Sequence, residues 1–310
     1  MRVLITGGSG FVGTHLSRHC LDLGHRVTAL GGRSTYDAID HPEFEYLSTD
    51  TTRSGGWQQH AADADLIFNL AGRTIFQRWS RRTKQQIYDS RIETTRCLVE
   101  ALPAESRTVL VSTSAVGYYG DCGNRELVES APPGDDFLAS LSVDWESEAN
   151  KARAKGARVA VARFGIVLGA HGGALAKMVP AFRSFMGGPL GHGRQWFPWI
   201  HIHDLIAACW FLASRDDLHG AFNLCAPIPV RNSQMARTLG KVLGRPAKMT
   251  VPEFMLKIML GELAGVVLGG QRTVPEALTA AGFEFSYPEL EAALIDLVGP
   301  SARHRSRPND

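Results

Sequence analysis

Short apolar runs alternate with helically spaced apolar positions through the first half of the chain. Val3, Leu4 and Ile5 form the first run, and Val12, Leu16, His19 and Cys20 follow at helical spacing. Read onward, the pattern predicts strands near 2–6, 26–30, 44–48, 65–70, 107–113 and 157–163, and helices near 11–23, 81–102 and 136–155. Such alternation, with apolar and β-branched strands, implies an α/β, Rossmann-type doubly wound parallel sheet covered on both faces. Ligands of such sheets sit at the C-terminal strand ends, near the point where strand order reverses. From 169 the texture changes to glycines and aromatics, among them Gly172, Gly173, Gly187, Gly188, Trp196 and Trp199. Residues 204–225 predict one more helix and strand returning to the sheet, and 226–298 are mainly helical. The expected division is a doubly wound domain of 1–170 plus about 204–225, a smaller, mainly helical C-terminal lobe of 171–203 plus 226–298, and a flexible tail at 299–310.

The turn after the first strand carries Gly7, Gly10 and Gly13 in G-x-x-G-x-x-G spacing. Glycines there let the backbone turn sharply and approach a pyrophosphate, and the helix that follows points its free N–H groups and positive dipole end at that anion. A glycine triplet alone is weak, but one between a strand and a helix is a dinucleotide signal. After the second strand comes Gly31-Gly32-Arg33-Ser34, where an NAD-preferring site carries an acid; Arg33 suits a 2′-phosphate, so NADP(H) is expected, the alternative being a solvated loop arginine. Asp50 follows the third strand and suits the adenine amino group or a helix cap. The fourth strand ends in Asn69-Leu70-Ala71-Gly72, small enough for a dinucleotide to pass. The fifth ends in Ser112-Thr113-Ser114, where hydroxyls meet a substrate oxygen beside the nicotinamide, and the sixth in Arg163-Phe164-Gly165, flanking the nicotinamide end.

Composition narrows the class. The chain has 310 residues, 44% hydrophobic and 21% charged, with a net charge of +2, a balance that points away from nucleic-acid and membrane partners and toward a small-molecule substrate. Five widely spaced cysteines without a C-x-x-C pair read as reduced thiols, which together with a strand at the N-terminus in place of a signal peptide predicts a cytoplasmic protein. The apolar stretch 254–269 contains Lys257, Glu262 and glycines and reads as a packed helix. The basic stretch 303–307 reads as a disordered end. No zinc-like ligand spacing, P-loop or G-x-S-x-G elbow is present, so no metal is expected.

Together these pieces resemble an extended short-chain dehydrogenase/reductase of the nucleotide-sugar epimerase/dehydratase type. Further motifs, including Arg78-Trp79-Ser80, Ser90-Arg91-Ile92-Glu93-Thr94, Ser114-Ala115-Val116-Gly117-Tyr118-Tyr119-Gly120, Gly193-Arg194-Gln195-Trp196, Gly270-Gln271-Arg272 and Ala281-Gly282-Phe283, resemble the atypical subgroup called epimerase family proteins, which carries its own C-terminal domain of unknown function. The resemblance covers about residues 1–298 and implies cofactor contacts from the glycine turn (Gly7, Ser9, Gly10, Phe11, Val12, Gly13), Arg33, Asp50, Leu70, Ala71, Gly72, Ser112 and Phe164. Arg91 stands where many extended members carry an asparagine, and suits a phosphate, an acidic substrate or a helix-surface ion pair. The resemblance also implies a homodimer through the helices near 81–102 and 136–155.

The pattern breaks at the acid–base pair. Relatives use a tyrosine whose pKa is lowered by a lysine four residues on, with a serine orienting the substrate. None of the six tyrosines here has a lysine four residues later; Leu141 or Ser142 takes the tyrosine place and Trp145 or Glu146 the lysine place. Ser114, Tyr118 and His201 are the candidate catalytic residues, with Tyr119 and Glu146 as further proton donors; Tyr118 and Tyr119 also fit simple packing, and His201 a hydrogen-bonded structural role. Two functions follow: an NADP(H)-dependent oxidoreductase or epimerase-like enzyme, or a non-catalytic NADP(H)-binding sensor or scaffold.

Overall fold

In the central strands of the first half, alternate residues face opposite sides of one sheet, and both sides are dry, whereas the edge strand Phe44–Ser48 is partly exposed. Val3, Ile5, Val27, Phe68 and Val111 pack on one face, and Leu4, Leu30, Ile67, Leu110 and Val161 on the other. Burial on both faces explains why these strands read as unbroken apolar runs. The computed structural model describes residues 1–299; the tail expected at 299–310 lies, beyond Gly299, outside the described residues.

The chain runs β1 (Arg2–Thr6), α1 (Phe11–Asp22), β2 (Arg26–Gly31), β3 (Phe44–Ser48), α2 (Gln58–Ala62), β4 (Leu66–Asn69), α3 (Arg81–Ala101), β5 (Val109–Ala115), β6 (Glu126–Leu127), α4 (Phe137–Asn150) and β7 (Arg158–Phe164). It continues through β8 (Ile166–Gly169), β9 (Gly172–Gly173), α5 (Leu175–Arg183), β10 (Trp196–Phe197), β11 (Trp199–His201), α6 (Ile202–Ser214), β12 (Gly220–Leu224) and β13 (Val230–Arg231). The remainder is α7 (Asn232–Leu243), α8 (Glu253–Leu260), α9 (Leu263–Leu268), β14 (Arg272–Thr273), α10 (Glu276–Ala280) and α11 (Leu290–Val298).

Seven parallel strands form the main sheet in the order β12-β7-β5-β4-β1-β2-β3. The order reverses between β1 and β4, which opens a crevice at their C-terminal ends. On one face α1 and α6 bring Leu16, Cys20, Leu205 and Leu212 to the sheet; on the other α3 and α4 bring Leu98, Val99 and Ala149. The first of these clusters continues from α6 into α7 and α11 through Met235, Leu239 and Leu294, so the mainly helical C-terminal region shares its core with the sheet. A parallel pairing of β14 with β6 ties the two regions a second time.

Two segments depart from the sequence pattern. The helix expected over 136–155 stops at Asn150 and tightens into a 3-10 turn, Lys151–Lys155, that ends at Gly156 with φ of 90°. The single packed helix expected over 254–269 is two helices, α8 and α9, broken at Gly261, whose positive φ of 60° a side chain would resist. Only Leu256 of α8 is buried, while Phe254, Ile258 and Met259 face outward. Among the described residues no helix is long and apolar enough to cross a membrane.

Candidate active site

The glycine turn closes the crevice from the β1 side. Gly7 has φ of 68°, its carbonyl accepts from the Gly10 N–H at 2.9 Å, and a Cβ on it would meet the Leu70 carbonyl oxygen at 2.9 Å. A Cβ on Gly13 would lie 2.5 Å from the Gly7 oxygen, so α1 packs this close to the turn only with glycine there. Gly10 caps α1 without a side-chain acceptor, leaving first-turn amides to the groove. Val12 packs against the core, and the Phe11 ring packs on His15 and on the β8–β9 hairpin, where a Cβ on Gly169 or Gly172 would collide with it. What Phe11 and Val12 offer the groove is therefore backbone.

At the end of β2, Tyr46 and the Arg33 backbone exchange two hydrogen bonds, Arg33 N donating to Tyr46 Oη at 3.1 Å and Tyr46 Oη donating to the Arg33 carbonyl at 2.8 Å. This clasp fixes the backbone while the Arg33 side chain stays exposed, with no ion pair among the described residues. Ser9 Oγ lies beside Gly31, where a Cβ would come within 2.4 Å of it. Asp50 accepts from the Thr52 hydroxyl at 2.6 Å and the Thr52 N–H at 3.0 Å, and the hydroxyl bond holds its carboxyl below the usual range. Asp50 thus braces the turn after β3.

A buried polar ladder sets the β4 end. Thr6 Oγ1 donates to Asn69 Oδ1 at 2.8 Å and accepts from the Leu70 and Ala71 N–H groups at 3.1 and 3.2 Å. Asn69 Nδ2 donates to Thr95 Oγ1 at 2.8 Å and Ser112 Oγ at 3.1 Å, and Trp145 Nε1 donates to Thr95 Oγ1 at 2.9 Å. Ser112 therefore spends its side chain within the ladder. Thr6, Asn69 and Thr95 carried no sequence signal beyond lying at strand ends or mid-helix.

Beyond β5 a second network is centred on Glu146. Ser114 Oγ donates to Glu146 Oε1 at 2.6 Å, and Arg163 grips the same carboxylate with Nε and Nη2, both at 2.8 Å. Arg163 Nη1 donates to Tyr119 Oη at 2.9 Å, which donates to Asn223 Oδ1 at 2.8 Å. The Tyr118 ring centroid lies 3.5 Å from Arg163 Cζ. Burial opposes the charge on Arg163, but its bonds to Glu146 outweigh that and hold its pKa above the ordinary value. Burial pushes Tyr119 up to about 12, which leaves it a neutral phenol. Ser142, in the tyrosine place, donates its hydroxyl to the Leu138 carbonyl at 2.8 Å. The geometry joins Ser114, Tyr118, Tyr119 and Glu146 in one cluster.

His201 stands apart from that cluster. It caps α6 by accepting the His203 N–H on Nδ1 at 3.0 Å, stacks on Tyr287 at 3.9 Å, and places Nε2 3.3 Å from Asp296. Burial lowers its pKa despite the nearby carboxylates. Phe164 packs against the main core cluster. Trp196 lies between Arg231 and Arg272, with Cζ atoms 4.2 and 5.3 Å from its ring, and Gln195 donates to the Leu190 and Val267 carbonyls, so both serve the junction with the helical region.

Residues 3–225 match the NAD dependent epimerase/dehydratase family, and residues 251–297 match a domain of unknown function, DUF1731. An epimerase family protein SDR39U1 homolog of Arabidopsis thaliana, described as chloroplastic, is 41% identical over 95% of this chain and 86% of its own length. An epimerase family protein of Staphylococcus epidermidis is 38% identical over 96% of this chain and 99% of its own. The crystal structure of human epimerase family protein SDR39U1 with NADPH superposes with a TM-score of 0.85 at 34% identity, covering 96% of this chain and 99% of that one.

Proposed function

The chain belongs to the NAD dependent epimerase/dehydratase family, and on that premise we propose that it is an NADP(H)-dependent oxidoreductase or epimerase-like enzyme acting on a small hydroxyl- or carbonyl-bearing substrate. The cradle supports the cofactor: glycines at positions where any Cβ would collide, uncapped first-turn amides on α1, and an unpaired arginine at the end of β2. NADPH in the similar human structure supports the same choice. When bound, NADP(H) supplies or accepts the hydride.

The Ser114–Glu146 hydrogen bond carries the reading. With its proton given to a carboxylate, the buried Ser114 Oγ keeps lone pairs that can accept a bond from a substrate hydroxyl entering the crevice. As the substrate alcohol is oxidised, its proton passes to Ser114 while the serine proton passes to Glu146; reduction runs the same path backward. Arg163 orients Glu146 through its two bonds, so the carboxylate stands ready on the serine side of the relay. A second reading, a non-catalytic NADP(H)-binding protein, draws on the same carboxylate: Glu146, one of the two residues at the lysine place, is paired with Arg163, and Ser142, one of the two at the tyrosine place, spends its hydroxyl on Leu138.

Fluorescence titration with NADPH and NADH, on the wild type and Arg33→Ala, tests the cofactor. NADPH at least ~10-fold tighter than NADH, about 1.4 kcal/mol, with the preference lost in the variant, is expected; equal or absent binding of both overturns it. Cofactor oxidation or reduction is then screened with metabolite fractions. Turnover abolished by Ser114→Ala establishes the enzyme, turnover that persists removes Ser114 from the mechanism, and tight NADPH binding with no turnover favours the second reading.

A further inference from the structure

Arg91 is a cation placed at a cost the fold does not recover. Its side chain lies half-buried on α3. On one side the Trp145 ring centroid is 5.2 Å from Cζ. Gly72 also lies against it: a Cβ there would come 2.9 Å from Cζ, 3.1 Å from Nη2 and 3.2 Å from Nε. Only a residue without a side chain lets the arginine lie there. Of its N–H donors, Nη1 gives one bond, to the Ile87 carbonyl at 3.0 Å. No carboxylate lies within ion-pair distance of it among the described residues.

Two other arginines on or beside these helices have acids. Arg163 grips Glu146 with two bonds, and Arg96, one turn further along α3, pairs with Glu93. Arg91 lacks such a partner, and burial alone draws its pKa down to about 10. A partly desolvated cation without an acid weakens a fold, and a Met or Leu would pack on Trp145 without that cost. The position gives the cost a purpose. Gly72 closes the β4 end, two residues beyond the Leu70 carbonyl that abuts the glycine turn, and Trp145 is the helix neighbour of Glu146, which holds Ser114. The free edge of Arg91 therefore belongs to the stretch of crevice between these two places, and a planar fork suits an oxyanion better than a point charge does.

We infer that Arg91 binds an oxyanion, a phosphate or carboxylate, carried by the ligand that fills the crevice between Gly72 and Ser114. The inference rests on the reading of that crevice as a cofactor and substrate site. The anion has two sources, the cofactor diphosphate or an acidic group of the substrate, and one set of titrations separates them. Wild type, Arg91→Met and Arg91→Lys are titrated calorimetrically with NADPH and, after saturation with NADPH, with inorganic pyrophosphate. Their unfolding temperatures are measured without ligand.

Arg91→Met is expected to lose at least ~10-fold in affinity for one probe, with Arg91→Lys retaining part of it, while its unliganded unfolding temperature equals or exceeds that of the wild type. Loss toward NADPH assigns the cofactor diphosphate; loss toward pyrophosphate alone assigns a substrate anion. Unchanged affinity for both, with a lower unfolding temperature, overturns the inference and makes Arg91 a packing residue. Arg91→Gln provides the check if Arg91→Met does not fold, because it keeps a polar side chain that can bond the Ile87 carbonyl while removing the charge; the same loss is expected. A wild type that binds no NADPH defeats the cofactor reading, while pyrophosphate binding to the free protein that disappears in Arg91→Met still sustains the anion site.

Discussion

At the glycine-turn end of the crevice the groove is shaped by backbone and by side chains that are missing; at the β5 end it is shaped by side chains that meet from distant parts of the chain. Gly7, Gly13 and the Leu70 carbonyl interlock within 3 Å of where Cβ atoms would stand. Ser114, Glu146 and Arg163 come from β5, α4 and β7, and Tyr119 reaches Asn223 on β12. The first end tolerates no added atom, whereas the second tolerates no lost charge. A cofactor common to a large family is held by geometry, and the chemistry peculiar to a branch is set by which ionisable groups are paired.

The largest expected effect strikes the β5 end. Arg163→Met leaves Glu146 buried without its cation, and breaking a buried pair costs about 3–5 kcal/mol. Denaturant unfolding is the measurement; a loss under about 1 kcal/mol means the carboxylate finds solvent or takes up a proton without strain. Adding Glu146→Gln to that variant is expected to restore part of the loss, since the orphan charge is then gone.

The glycine end gives a smaller stability change and a sharper binding change. Gly13→Ala places its methyl 2.5 Å from the Gly7 oxygen. NADPH affinity is expected to fall at least ~100-fold, about 2.7 kcal/mol, with the helical circular dichroism signal retained. Near-normal NADPH affinity in Gly13→Ala removes the turn from the cofactor site and with it the contrast between the two ends.

The smallest effect lies outside both ends, at His201. Burial lowers its folded pKa below the ordinary 6.5, so the unfolded chain binds the proton first as pH falls. Stability is full above about 6.5 and declines as pH drops through and below it. At pH 5.5, one unit lower, the contribution is bounded at about 1.4 kcal/mol. Unfolding temperatures between pH 7.5 and 5.5 are expected to fall less steeply for His201→Asn than for the wild type, the variant keeping a cap but being less stable at pH 7.5 through its lost stacking on Tyr287. Parallel curves place the acid sensitivity elsewhere.

The fold was largely legible because its signals are local. Apolar alternation marked six strands in the first half, and β1 to β5 and β7 appear close to those positions; the two-residue β6 was too short to leave a pattern. The glycine spacing and Arg33 are also local, each acting within a turn of its own strand. The Tyr46 clasp on the Arg33 backbone was not legible, because a tyrosine on β3 gives no sign of which loop it meets. The break at Gly261 was hidden by the surrounding apolar residues, which fit one helix as well as two.

By itself the sequence determined the doubly wound sheet, the position of the crevice, the dinucleotide-type turn and the absence of the tyrosine–lysine pair, since each is written in residues close together along the chain. Only the tertiary structure decided that Glu146 and Arg163, 17 residues apart, close on one another and that Glu146 accepts the Ser114 hydrogen bond. It alone left Arg91 without an acid between Gly72 and Trp145, and set His201 against Tyr287 and Asp296, apart from the Ser114 cluster. Charge pairing depends on distance and burial in space, and the helices and strands that fix those distances are brought together by the core, whose apolar contacts carry no record in the sequence of which polar groups they will press into contact.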